Sequence, residues 1–529
     1  MLNKKEIILI FILLNSAVFA QNTLWKHKIG GEYADYLFDA IPTLDYGFLM
    51  VGGTLSDKSG DVKSNAGDFD CFISKLNEDG DTEWTKVLGG KQTDVAKVIT
   101  DTYDGGYIIG AISNSGISGN KTSPNIGAND IWLIKMDFNG NITWQKTLGG
   151  LANEFISDIV KTQDGGFLIV AGSNSDDMGN EAMNYTHPDL ILKTGENNGN
   201  TDYWLVKLDS NGDLQWQKTF GSRYKDVLIK AIELPDRSII IAGNSNSLKN
   251  NIKNTDNIGL TDWWVLRISE QGNIIWQKLF GTEGDDHLTS LTKTKDNNLL
   301  LGGYFGENKG KNHSSDFALI KIDFSGNMIW QNTYDKGAND FLTDILQNPD
   351  GSLILSGYTE AKPNLVNKKI ALKKGIEDFL ILKTDDKGNE LWSVAKGTSK
   401  KEVLRRSIVT RDGGYVLMGS SMPHKPHGKN NADFLILKLR DKDKPLHEKL
   451  PLETIPNPAV THTSVVIGKN YEKGILKVVD ISGKTVIQKD LKGSRLIPLD
   501  MRHLPVGVYI INVEVDDLKN SLKVIKAKH

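Results

Sequence analysis

Residues 130–150 read DIWLIKMDFNGNITWQKTLGG. An acid opens an apolar run that ends near a base, Asn139-Gly140 supplies a turn, and a second run centres on Trp144 before two glycines. Two short apolar runs joined through a Gly turn make a β-hairpin. The string recurs along the chain. Trp25, Trp84, Trp144, Trp216, Trp276, Trp330 and Trp392 set a frame in which an acid follows ten residues later: Asp35, Asp94, Glu154, Asp226, Asp286, Asp340 and Glu402. Ten residues further stands an Asp in every unit: Asp45, Asp104, Asp164, Asp236, Asp296, Asp350 and Asp412. A stretch of variable length follows, and then an Asp with a base five residues on: Asp70/Lys75, Asp130/Lys135, Asp202/Lys207, Asp262/Arg267, Asp316/Lys321, Asp378/Lys383 and Asp433/Lys438.

Each unit reads as four strands. The segment after the acid, as in VAKVITDT, leads through an Asp-Gly turn to a second apolar run, and the quoted hairpin supplies the third and fourth strands. Runs such as WLIK and FLIL lack clean alternation, so these strands are covered on both faces. Four-stranded units of 54 to 72 residues between Trp residues, with no helical period, predict an all-β, seven-bladed β-propeller rather than a helical solenoid. The first Trp strand, around Trp25, has no hairpin partner, and the seventh unit stops at Lys438 without its Trp strand. One N-terminal strand plus three C-terminal strands are therefore expected to complete the last blade, which removes two sheet edges.

Composition agrees with this. The 529 residues include 52 Gly, 14 Pro and 11 Trp with 39% hydrophobic residues, which suits many short strands and tight turns. Met1–Ala20 carries Lys4 and Lys5, the run IILIFILL and small residues before a break between Ala20 and Gln21, a secretory signal pattern; no later segment is apolar enough to span a membrane. With one cysteine, Cys71, an exported chain must hold itself together without disulfides. Its body between leader and C-terminal region is mildly acidic, which argues against nucleic-acid binding.

From Leu450 the frame gives way to Pro456-Asn457-Pro458, Asp480-Ile-Ser-Gly483-Lys484, Gly507-Val508-Tyr509-Ile510 and Lys523-Val-Ile-Lys526, short strands between Gly turns that predict a small β-sandwich. The string resembles the type A sorting domain of the type IX secretion system of Bacteroidota. That resemblance implies a route through the periplasm, recognition by the outer-membrane translocon and processing by a sortase, leaving the cargo extracellular or on the outer cell surface. The expected division is 1–20 signal peptide, 21–444 propeller, 445–453 linker and 454–529 sorting domain. The repeats resemble bacterial Trp-repeat propellers, and the hairpin is similar to that of quinoprotein propellers and, more loosely, to the Asp-box of sialidases. Its Gly-to-Trp spacing is one residue longer than in the Asp-box, and the adjacent Cys of quinoprotein dehydrogenases are lacking.

Chemistry is sparse. The acids recur once per unit, which marks them as parts of the blade, with Asp45 and its equivalents at turns. Asp70 and Lys75 lie an odd distance apart on a strand, so they face opposite ways. His424 and His427, with His187 or His313, lack a carboxylate to complete a metal shell. Asp57–Asp61 and Asp176-Asp177 are the stretches that could suit calcium, yet neither has the spacing of a calcium loop; no cofactor and no catalytic residue is implied. The first strands, as in VAKVITDT, ISDIVKTQ and LTSLTKTK, read as repeated apolar and small polar residues with no odd unit out. The expected function is a monomeric, non-enzymatic scaffold for an extracellular glycan or protein; the alternative is a hydrolase or lyase with its active site in the channel. The variable loops share one face. The longest, Ser173–Thr201, contains Met183, Tyr185, His187 and Leu190-Ile-Leu192, and with Pro363–Ile376 it is the expected ligand rim.

Overall fold

The computed structural model describes residues 22–309, 312–337, 339–360, 377–398, 400–423, 432–441 and 451–528. Among them the regular structure is β throughout apart from one 3-10 turn at Gly179–Asn184. The described residues between 23 and 439 form seven sheets that follow one another along the chain, antiparallel apart from one parallel strand added at the edge of sheet two. Sheet one runs Asp35–Pro42, Phe48–Thr54, Asp70–Leu76, Thr82–Leu88 in spatial order, and sheets two to six repeat that order. Sheet seven takes Lys401–Val409, Tyr415–Met422 and Asp433–Leu439, and its outer strand is Thr23–Ile29, with Trp25 opposite Lys438 and Ile29 opposite Phe434. The expected neighbour of the N-terminal strand is thus its actual one.

The second and third strands of each sheet are the most deeply covered. Every residue of Asp70–Leu76, Asp130–Met136 and Asp202–Leu208 is buried, whereas the outer Trp strands are half exposed. Apolar clusters fill the gaps between successive sheets, and one of them joins Phe48, Met50 and Phe72 of sheet one to Phe434 and Ile436 of sheet seven. The turn glycine before each Trp has a double role. Gly80, Gly140 and Gly212 hold φ of +92°, +76° and +84°, a region that disfavours a side chain. Each also receives the ring of the Trp on the preceding sheet: a Cβ would lie 3.1 Å from the Trp84 ring at Gly140 and 3.2 Å from the Trp25 ring at Gly80.

The turn acids pair with the bases of the third strand. Lys75 meets Asp45 at 2.9 Å, Lys135 meets Asp104 at 2.8 Å, Lys207 meets Asp164 at 2.7 Å, and Lys438 meets Asp412 at 2.6 Å. The base that cannot reach the Asp on its own strand reaches one on the turn beside it. Gly47 N–H also donates to Asp45, as the turn role requires.

The C-terminal sandwich packs a three-stranded sheet (Leu452–Ile455, His462–Ile467, Leu496–Asp500) on a four-stranded one (Thr485–Leu491, Gly474–Val479, Gly507–Val515, Leu518–Lys526) around Leu476, Val478, Leu499, Ile511 and Val513. Its first strand takes in Leu452 and Glu453. This unit touches the turns of sheets one and seven: Arg411 binds Glu78 through two nitrogens at 2.9 Å and Glu453 at 3.0 Å, and Arg495 reaches Glu78 at 2.9 Å. The Arg411 guanidinium lies 4.0 Å over the Tyr46 ring, whose hydroxyl donates to Glu453.

Candidate functional site

Each first strand packs on the first strand of the next sheet, and Lys401–Val409 packs on Asp35–Pro42. All seven carry a β-bulge in the same place, between Leu37 and Asp39, Ala96 and Val98, Ile156 and Asp158, Leu228 and Lys230, Leu288 and Ser290, Leu342 and Asp344, and Leu404 and Arg406. A bulge re-aims the side chains beside it. Here it turns two successive residues per strand toward one central cavity.

The inward residue four places after the unit acid is Asp39, Val98, Asp158, Lys230, Ser290, Asp344 or Arg406. The expectation of a uniform channel is therefore corrected: seven equivalent positions hold three acids, two bases, a hydroxyl and a valine. Arg406 sits between Asp39 at 3.0 Å and Asp344 at 3.3 Å, and Lys230 meets Asp158 at 3.0 Å. The Asp39 charge, above all, holds the Arg406 guanidinium above its ordinary value. Asp39 also accepts from Ile99 N–H at 3.0 Å and Asp344 from Ser407 N–H at 2.9 Å, so the charges brace one sheet against another. Sequence reading missed them because the repeat frame hides a position that changes between units; reading down the fourth place after the acid would have found it.

This belt divides the cavity. On the turn side lies a chamber of about 420 Å³ lined by Ile41, Pro42, Leu291, Gln347 and Val409 among others. On the loop side lies one of about 230 Å³ reached by all seven first strands, with Phe38, Lys97, Ser157, Ile229, Thr289, Thr343 and Arg405. The Lys97 ammonium lies 3.4 Å from the centre of the Phe38 ring and the Arg405 guanidinium 5.6 Å from it. Burial, and then the Arg405 charge, push Lys97 down to about 8. Among the described residues no carboxylate pairs with either cation.

The expected rim behaves differently. Leu190–Leu192 adds a fifth, parallel strand to sheet two beside Thr147–Gly149, with Ile191 7% exposed, so the apolar run has a structural use. The Tyr185 hydroxyl donates to Ile126 C=O at 3.0 Å, and His187 Nδ1 accepts from Asp189 N–H at 3.3 Å. Met183 is left 79% exposed. Asp176 and Asp177 accept from Asn197, Gly179 and Gly195 N–H groups, and Asp61 from Gly30 N–H, so these acids tie down their own loops. Pro363–Ile376, His424, His427 and the Ala20–Gln21 junction lie outside the described residues.

The sorting motif converges on the last strand. The Asn457 amide donates to Lys523 C=O at 2.8 Å and its oxygen accepts from Ile525 N–H at 3.0 Å, while Pro456 C=O accepts from Thr463. Gly507, Val508 and Tyr509 pair with Lys526, Ile525 and Val524 from the other side. Gly483, at φ +83°, and Lys484 form the Asp480 turn, where Lys484 N–H donates to Asp480. No helix among the described residues is long and apolar enough to cross a membrane.

Residues 454–527 match the family described as a secretion system C-terminal sorting domain. The uncharacterized WD repeat-containing protein L264 of Acanthamoeba polyphaga mimivirus is 22% identical over 270 residues, 42% of this chain and 19% of its own, so the chain spans about a fifth of that relative. Among solved structures, the polysaccharide lyase Uly1 aligns at a TM-score of 0.42 and 9% identity over 77% of this chain and 90% of its own. A subtype N11 neuraminidase-like protein of A/flat-faced bat/Peru/033/2010 aligns at 0.35 and 12% over 80% and 93%. At these scores neither structure bears on the cavity.

Proposed function

We propose that this chain, whose sorting domain marks it for type IX export, is a seven-bladed propeller that binds an acidic extracellular glycan at the loop-side mouth of its central cavity. The carrying observation is the pair Lys97 and Arg405 flanking the Phe38 ring, with no acid paired to either among the described residues, beside a belt whose two bases are both paired with acids. Cations beside an aromatic face suit a sugar ring that carries a carboxylate or sulfate: the ring stacks and the anion pairs. Focusing of the field by a narrow mouth strengthens the attraction. The sorting domain contacts turns on the opposite face, at Glu78 and Arg411, which leaves the loop face open. Tyr185 and His187 then stand near the outer rim as secondary contacts.

The test is calorimetric titration of the purified protein with uronate oligosaccharides against neutral ones of equal length. Binding of the acidic series only, weakened about tenfold or more by Lys97→Ala or Arg405→Ala with the fold intact, is expected. Equal binding of neutral oligosaccharides, or none by either series, would sink the reading.

A second reading rests on Lys97 alone. An amine held at about 8 is poised as a general base, and beside Arg405 it would suit proton abstraction next to a uronate carboxylate. Appearance of unsaturated uronate absorbance on incubation with uronate polymers, lost in Lys97→Ala, separates a lyase from a binding protein.

A further inference from the structure

Four charged side chains form one alternating row between the body and the sorting domain. Arg495 of the sorting domain donates to Glu78 at 2.9 Å, Glu78 accepts two further bonds from Arg411 at 2.9 Å, and Arg411 donates to Glu453 of the sorting domain at 3.0 Å. The row sets two acids against two bases, and one end of it is closed to water, with the Glu78 and Arg495 side chains nearly buried. Charge-assisted bonds are strong in such a place, and each charge here has an opposite neighbour.

The sorting domain's half of the row is set by its own fold. Glu453 stands on Leu452–Ile455, where it pairs with Val466. Arg495 Nε donates to Ile467 C=O at 3.0 Å, which leaves Nη2 for Glu78. Groups placed before they meet lose little freedom on binding. None of the four charges lies in residues 442–450, which connect the two parts.

The body's half holds a residue that its turn alone does not favour. Tyr46 has φ +64°, whereas the equivalent place is Gly105, Gly165, Gly351 or Gly413 in four other units, at φ +79° to +89°, and Arg237 or Asn297 in the remaining two. A bulky side chain is strained in that region and persists where its surroundings use it. The Tyr46 ring lies 4.0 Å under the Arg411 guanidinium, and its hydroxyl donates to Glu453. The strained residue thus serves a contact with the sorting domain. Apolar packing adds little: among the described residues no apolar cluster takes members from both parts. On one flank a space of about 460 Å³ separates Trp84, Phe138 and Asn139 from Asn470, Lys492 and Ser494. A joint of this kind depends on few residues.

We propose that Tyr46, Glu78 and Arg411, at the junction of sheets one and seven, form a binding surface for the sorting domain, and that the two parts stay together as a noncovalent complex when the chain is cut between residues 441 and 451. The connecting residues raise the local concentration of the sorting domain without supplying the bond. Severing them does not by itself free the body. The joint uses none of the residues of the glycan reading and stands or falls without it.

A specific protease site placed within residues 442–450 of the full-length protein tests this. After cutting, the two fragments should leave a size-exclusion column together, in equal amounts, at micromolar concentration. Arg495→Ala and, separately, Tyr46→Gly should each weaken that retention at least about tenfold on dilution. Tyr46→Gly installs the residue of four other turns and relieves the strained φ, so release of the sorting domain, with the circular dichroism of the uncut chain unchanged, is not the result of a damaged body. Wild-type fragments that elute apart would overturn the proposal, as would retention in both variants equal to that of the wild type.

Discussion

Among the carboxylates that recur along the body, members of two sets are pushed in opposite directions. Burial works against the turn acids Asp164 and Asp296, yet their Lys partners and a Thr hydroxyl hold them at about 2. Asp35, Asp70, Asp130, Asp202 and Asp378, between sheets, have no ion pair among the described residues, and burial raises Asp35, Asp70, Asp202 and Asp378 to about 6 and Asp130 to about 7. For the raised acids the folded chain binds protons that the unfolded chain releases, so stability falls as pH rises from about 4 to about 7. For the lowered acids the sign reverses, and stability is lost as pH falls from about 4 toward 2. Melting followed by calorimetry should peak at about pH 4, where these windows meet; a melting temperature that climbs steadily to pH 8 would contradict the assignment. At single-residue scale Gly281→Ala, which brings Cβ to 2.2 Å of Asp262 Oδ1, should cost about 1–3 kcal/mol by denaturant titration. The turn role of Asp45 was legible from Asp-Tyr-Gly. Its pairing with Lys75 was not, because thirty residues separate them and nothing local marks the contact.

At the scale of strands and turns, the repeat frame located the hairpins, their Gly turns and the lone Trp25 strand, since spacing alone carries that information. Two features escaped it. A bulge changes which side chains face inward without altering the apolar pattern, so the cavity belt of Asp39, Asp158, Lys230, Asp344 and Arg406 stayed hidden. The run Leu190-Ile-Leu192 looked like a binding surface because apolar residues in a loop do not name their partner; that partner is an edge strand of the sheet before. Replacing Ser173–Thr201 with a Gly/Ser linker should therefore uncover Thr147–Gly149 and lower the melting temperature, in addition to any effect on ligand capture. Deleting residues 21–31 removes the strand paired along Asp433–Leu439 and exposes a fresh edge. Light scattering should report association of that variant at concentrations where the parent stays dispersed, and a dispersed, equally stable variant would show the strand to be dispensable.

For the whole molecule, the order of body and sorting domain could be read from Pro456-Asn457-Pro458 onward, but their contact could not. Glu78 and Arg495 stand 417 residues apart, and no period links them. Both side chains are nearly buried, 6% and 5% exposed, so removing Arg495 leaves the buried Glu78 to Arg411 alone and takes away a contact between sorting domain and body. Arg495→Ala should lower the melting temperature of the full chain, which differential scanning calorimetry can read. Removing residues 450–529 should leave a folded body retained in the periplasm; its efficient release into the medium would break the link between the tail and export. The pairing of Thr23–Ile29 with Asp433–Leu439 carries a further consequence, in time rather than in space. A chain is synthesised from its N-terminus, so the first strand to be made waits for the last described strand of the body. Until then sheet seven lacks three of its strands and Trp25 has no ladder to join. Sheet seven is thus the one sheet of the body whose completion depends on both ends of the body being present, whereas the other six can form from consecutive strands.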